Sequence, residues 1–110
     1  MNTQHISHLR TAIAVARRAR QNGNHPFGAL LVDAAGNVLL EAENTVNTEH
    51  DCTGHAETNL VRLASKKFER AVLEGCTLYT STEPCAMCSG AIHWSGIGRV
   101  VFALSEDGLY

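Results

Sequence analysis

Residues 77–104 read TLYTSTEPCAMCSGAIHWSGIGRVVFAL, and this stretch decides the architecture. Thr77 to Ser81 has the β-branched and aromatic content of a strand. Pro84 suits the first turn of a helix, which then runs through Ala91 and Ile92 to Trp94. Gly96 and Gly98 stop it, and Arg99 to Leu104 (RVVFAL) returns to strand character. A strand, a helix and a second strand in that order make a crossover, which sets the two strands parallel in one sheet.

Upstream, His55 to Phe68 carries Ala56, Leu60, Leu63 and Ala64 at helical spacing, with Thr53 as the expected N-cap. The preceding Thr45 to Gly54 is polar and irregular and reads as a loop. Phe27 to Asp33 and Val38 to Asn44 flank Ala34-Ala35-Gly36-Asn37, so the three segments read as a β-hairpin. The first of its strands is almost continuously apolar, as a strand covered on both faces should be. Ile6, Leu9, Ile13 and Ala16 mark a first helix from Ile6 to Arg20, with Gly23 as its stop. The order α-β-β-α-β-α-β predicts an α/β protein in three layers, α/β/α, around a mixed sheet of at least four strands.

Composition bounds what such a protein can do. A length of 110 residues predicts one domain, residues 1–110, with one real core. The formal net charge of −2 excludes a protein whose main task is coating nucleic acid. Arg10, Arg17, Arg18 and Arg20 on the first helix therefore read as a solvated face. No apolar run approaches the about 20 residues that a membrane span needs. The opening MNTQHISHLR lacks the apolar core of a secretory signal, which predicts a cytoplasmic protein. There, four cysteines and six histidines favour metal or catalytic use over disulfides. Cys52 and Cys76 read as small buried residues, and His93 as a surface one.

Two junctions concentrate the remaining chemistry. His55-Ala56-Glu57 opens one helix, and Pro84-Cys85-Ala86-Met87-Cys88 opens the next. Helices crossing one sheet can bring their N-termini together above its carboxyl edge. Cysteines at i and i+3 face the same way, and a helix N-terminus favours the thiolate that binds metal. His55, Cys85 and Cys88 then make three protein ligands with a fourth position left for water, the pattern of a catalytic zinc site. Glu57 can stand beside that water as a proton carrier without ligating the metal. Cys85 and Cys88 alone also fit a redox pair, or half of a structural zinc site with Cys52 or Cys76. Those readings leave His55, Glu57 and Asn44 without a role.

H-x-E followed by P-C-x-x-C is the signature of zinc-dependent nucleobase deaminases. On these motifs the chain resembles the cytidine deaminase-like superfamily, nearest the branch of guanine deaminases and tRNA adenosine deaminases. Pro26-Phe27-Gly28-Ala29, Asn44, His50-Asp51 and Thr53 match that branch as well, and Ser81 to Cys88 matches it almost throughout. The resemblance covers residues 25 to 104. Cys52 stands where the family usually has Pro, and Gly54 where it has Ala, which predicts a looser loop before His55.

The resemblance implies one Zn²⁺ per chain, held by His55, Cys85 and Cys88 with water or hydroxide as fourth ligand, and Glu57 as the catalytic proton shuttle. It implies that the Ala56 N–H and the backbone from Ser81 to Glu83 hold the polar edge of a base, with Asn44 bonding another side. Phe27, His55 and Trp94 would wall the ring. Ser89-Gly90-Ala91 followed by Ile92-His93-Trp94 is closer to guanine deaminases than to the tRNA enzymes. The expected activity is hydrolytic deamination of a small free base with an amino-oxo-pyrimidine edge, of guanine, isocytosine or cytosine type. The alternatives are a tRNA adenosine deaminase and a non-catalytic zinc-stabilised module. The family implies a homodimer. Relatives continue past the fourth strand, so C-terminal elements are expected to be short or missing, with Ser105 to Tyr110 doing little to close a pocket.

Overall fold

The computed structural model describes residues 2–104; the tail Ser105 to Tyr110, on which the expectation about pocket closure falls, lies outside the described residues. Helix α1 spans Thr3–Gln21, strand β1 Gly28–Val32 and β2 Val38–Glu43. A one-turn helix α2 (Val46–Glu49) precedes α3 (Ala56–Lys67) and the short α4 (Arg70–Glu74). Strand β3 (Thr77–Thr82), helix α5 (Ala86–Ser95) and β4 (Arg99–Leu104) follow. The sheet order is β2-β1-β3-β4; β1 pairs antiparallel with β2 and β3, and β3 pairs parallel with β4 across α5.

Alternation along the two central strands builds the three layers. Leu30 and Val32 of β1 and Tyr79 of β3 pack with Leu9, Ala12 and Val15 of α1 on one face. Ala29, Leu31 and Leu78 pack with Ala56, Leu60 and Ala64 of α3 and Ile92 of α5 on the other. All five residues of β1 are buried, as its apolar run requires. Gly28 lets α1 lie down on the sheet, because a Cβ there would stand 2.6 Å from Ala12 O and Ala16 N. Arg18 ties the same helix to β2, donating from Nε to Glu43 at 2.7 Å and from Nη1 to Glu41 at 3.3 Å. It is thus more than a solvated charge, although Arg18, like Arg10, Arg17 and Arg20, is exposed.

Several boundaries differ from the sequence reading, each for a local reason. Helix α1 starts three residues earlier because Asn2 Oδ1 caps it, accepting the His5 N–H at 2.9 Å. Ile6 and Leu63, read as core, are exposed. Thr53 does not cap α3: its hydroxyl donates to Asp51 Oδ1 at 2.6 Å, and His55 takes the N-cap position. Pro84 stands outside α5, whose first backbone bond runs from Ser89 N–H to Cys85 O at 2.8 Å. The segment read as loop contains α2, and α4 was not foreseen. Both are shorter than the span over which apolar periodicity shows.

The loop before His55 is tied rather than loose. Gly54 packs where a Cβ would meet Thr45 Oγ1 at 2.8 Å, and the Thr45 N–H donates to Gly54 O at 2.8 Å. From one side Asn59 Nδ2 donates to Glu43 O, Thr45 Oγ1 and Gly54 O at 2.9–3.3 Å. From the other, the buried Asn24 accepts the Asn47 and Thr48 N–H groups at 3.0 Å each. Among the described residues no helix is long and apolar enough to cross a membrane.

Candidate active site

The N-termini of α3 and α5 meet on one face of the sheet, at the carboxyl ends of β3 and β4. His55 is the N-cap of α3 and Cys85 the N-cap of α5, with Cys88 one turn on. Both caps have extended backbone, which turns their side chains away from the helix axes and toward each other. His55 Nδ1 lies 3.4 Å from Cys85 Sγ and 3.6 Å from Cys88 Sγ. The three ligand atoms fall within 4.8 Å of one another, and they form the metal-ligand cluster found among the described residues.

This donor set fits zinc. Tetrahedral bonds of about 2.3 Å to sulfur and about 2.0 Å to nitrogen place N and S atoms roughly 3.5 Å apart, the spacing observed. One imidazole and two thiols are also the borderline-soft donors that zinc selects. Cys88 is wholly buried, and burial together with the nearby Glu57 charge pushes its thiol up to about 12. Metal binding therefore has to displace that proton.

A cavity of 360 Å³ opens beside the triad, within the size range of small-molecule sites. Of the residues singled out from sequence, Phe27, Asn44, His55, Glu57, Glu83 and Cys85 line it. Glu57 is 5 % exposed, and desolvation raises its carboxyl above the ordinary value, partly offset by its own backbone N–H and by Thr80. Thr80 shares the face of β3 that carries Leu78. Its Oγ1 is the buried side-chain polar atom left without a hydrogen bond of standard geometry among the described residues. Asn44 is buried, with Oδ1 accepting the Val46 N–H at 3.0 Å and its own N–H donating to Phe27 O at 3.1 Å. It therefore fixes the cavity wall as well as facing the cavity.

Three other residues lie elsewhere. Ala56 is fully buried in the core, though as first residue of α3 its N–H has no acceptor within the helix. Ser81 points to the opposite face, where Oγ accepts the Gly28 N–H at 3.2 Å, so any contact it makes with a base is through its backbone. Trp94, expected as a ring wall, is 80 % exposed and does not line the cavity. Trp94 is the penultimate residue of α5, and a side chain in that last turn cannot reach the ligands at the N-terminus.

His25, Val46, Cys52 and Thr82 complete the lining and were not singled out as site residues. Thr82 was legible from strand alternation with Leu78 and Thr80, and His25 from its place beside Pro26-Phe27. Val46 enters only because α2 forms. Cys52, read as buried, is exposed, whereas Cys76 is buried as expected. A second cavity of 380 Å³ lies at the opposite end of the sheet, near His5, His8, Tyr79 and Arg99, remote from the triad.

Residues 2–104 match the family model described as the cytidine and deoxycytidylate deaminase zinc-binding region. The chain is 52 % identical over 99 % of its length to the "Probable cytosine deaminase" of Schizosaccharomyces pombe, covering 65 % of that protein. It is 39 % identical over 86 % of its length to the tRNA-specific adenosine deaminase of Aquifex aeolicus, covering 62 % of it. The crystal structure of guanine deaminase from Bacillus subtilis superposes with a TM-score of 0.84 at 36 % identity, over 99 % of this chain and 68 % of that one. The chain thus spans 62–65 % of the length of these two curated relatives. A match that runs the length of the described fold, with the ligand triad assembled at its two helix caps, places the chain in the cytidine and deoxycytidylate deaminase family.

Proposed function

We propose that the chain is a single zinc-dependent deaminase domain, 1–110, that hydrolyses the exocyclic amine of a small free base with an amino-oxo-pyrimidine edge. The observation that carries the reading is Glu57, a buried carboxyl facing the same 360 Å³ cavity as the ligands His55 and Cys85. A structural zinc site closes all four positions with protein, whereas among the described residues this one has three candidate protein ligands beside an open cavity.

Bound by His55, Cys85 and Cys88, zinc supplies Lewis acidity that lowers the pKa of a water toward ~7 and so provides the nucleophile. Glu57 takes a proton from the attacking water onto a carboxylate oxygen. It delivers that proton to the ring nitrogen next to the reacting carbon. A second proton transfer through the same carboxylate reaches the exocyclic nitrogen, and ammonia leaves as the carbonyl forms. Desolvation strengthens this role, because it holds the Glu57 proton more firmly than water would.

The Ala56 N–H and the backbone of Ser81 to Glu83 hold the polar edge of the base in this reading. Asn44 contributes Nδ2, since Oδ1 is taken by Val46, and Phe27 offers a flat wall. Guanine, isocytosine and cytosine all present the required edge. The relatives named for cytosine and guanine support the class. The net charge of −2 favours a free base over a large RNA.

The test is ammonia release from guanine, isocytosine, cytosine, adenine and a tRNA anticodon stem-loop. Release from a free base with the amino-oxo edge is expected. Release from the stem-loop alone would assign the tRNA reading, and a zinc-loaded protein inert on all five would be a binding module. We further infer a cytoplasmic homodimer, supported by four free cysteines and by the exposed Trp94, Phe102 and Leu104. Sedimentation at micromolar concentration tests it, and a stable, active monomer would overturn it.

A further inference from the structure

We propose that Thr58 is a positioning residue for the metal centre, donating a hydrogen bond from Oγ1 to the ligand sulfur of Cys88. The inference rests on the zinc reading above. The two atoms lie 3.3 Å apart between α3 and α5. Neither H-x-E nor P-C-x-x-C specifies the residue at position 58. Thr58 follows Glu57 by one step of about 100° around α3, so Glu57 enters the cavity while Thr58 turns toward α5.

Without metal, either partner can donate. Once Cys88 is a metal-bound thiolate it has no proton, and the hydroxyl must be the donor. A hydrogen bond to a charged acceptor is roughly twice as strong as a neutral one. The need is greatest at this sulfur. Cys88 is wholly buried, while Cys85 is partly exposed and can be hydrated. Two thiolates and the Glu57 carboxylate also crowd negative charge around one divalent ion, and the Thr58 hydroxyl disperses part of it. The same bond locks the turn of α5 that carries Cys88 against α3, fixing the direction of the sulfur.

The experiment is zinc affinity by competition with a chelating chromophore, on the whole chain. Thr58→Val, which keeps the shape and removes the hydroxyl, should weaken zinc binding by about tenfold. Thr58→Ser should restore it. In cobalt-loaded protein, Thr58→Val should move the thiolate-to-metal charge-transfer band to longer wavelength, because the sulfur lone pairs lose a stabilising donor. Wild-type affinity and an unshifted band in Thr58→Val would overturn the proposal. So would equal losses in Thr58→Val and Thr58→Ser, which would mean that packing, not the hydrogen bond, matters. A wild-type chain that binds no zinc would overturn the metal reading itself, an outcome seen before any variant is compared.

Discussion

In the proposed reaction Glu57 is the proton carrier, and its neighbours explain how a carboxylate there could serve. It lies two positions from a ligand at a helix N-terminus, buried enough to hold a proton and close enough to the cavity to give it away. Glu57→Gln keeps size and hydrogen bonding but removes the base. It should lower kcat/KM for ammonia release by about 10²–10⁴ while zinc content measured on the purified variant stays at the wild-type level. A variant within tenfold of wild type would refute the proton-shuttle role. The ligands and Glu57 were legible because each lies in a short motif at a junction. Val46 and Cys52 were not, since only the folding of the 44–55 segment brings them to the cavity.

At the scale of elements, two small contacts tie α1 to the sheet, at Gly28 and at Glu43. Gly28→Ala would push a methyl group to 2.6 Å from two backbone atoms of α1, a distance real contacts do not reach. It should destabilise the fold by about 1–3 kcal/mol, read as a lower denaturant midpoint with unchanged slope. Beside it, burial raises the Glu43 carboxyl, but hydrogen bonds from Arg18 and Asn22 outweigh this and hold it below the ordinary 4.5. A depressed folded value means stabilisation fully present above pH 4.5 and lost as pH falls through the folded value. Glu43→Gln should therefore cost up to about 1 kcal/mol at pH 7, and the gap should close in denaturation series run below pH 4.5. The long elements were readable because periodicity accumulates over many residues. Helix α4 escaped because five residues cannot show it, though Leu73 within it is buried.

For the whole molecule, element order and right-handed crossover logic sufficed to obtain a mixed sheet with parallel β3 and β4. What they could not supply was the relation between helices that touch only through the third dimension. The metal triad is one such relation: His55 comes from α3 and both cysteines from α5. Held by these three residues, zinc would clasp two elements of the same layer together. At free zinc near 100-fold above the dissociation constant, binding should add about 2.7 kcal/mol. Chelation should lower the thermal midpoint by roughly 10–20 °C, reversibly on adding zinc back, as scanning calorimetry can check.

The sheet divides this small protein into two compartments. Among the described residues one face packs against α1, while the other carries the two helices that supply the ligand triad. For protein engineering, that partition means the α1 side is a free design space. Substitutions that improve packing around Leu9, Ala12 and Val15 can raise heat tolerance without repositioning a ligand, provided that the Gly28 contact is left alone. Directed evolution toward a new substrate has the opposite address, the cavity lining contributed by His25, Val46, Cys52 and Thr82. A library split along this boundary would let robustness and selectivity be optimised separately and then recombined, because distant sites add nearly independently.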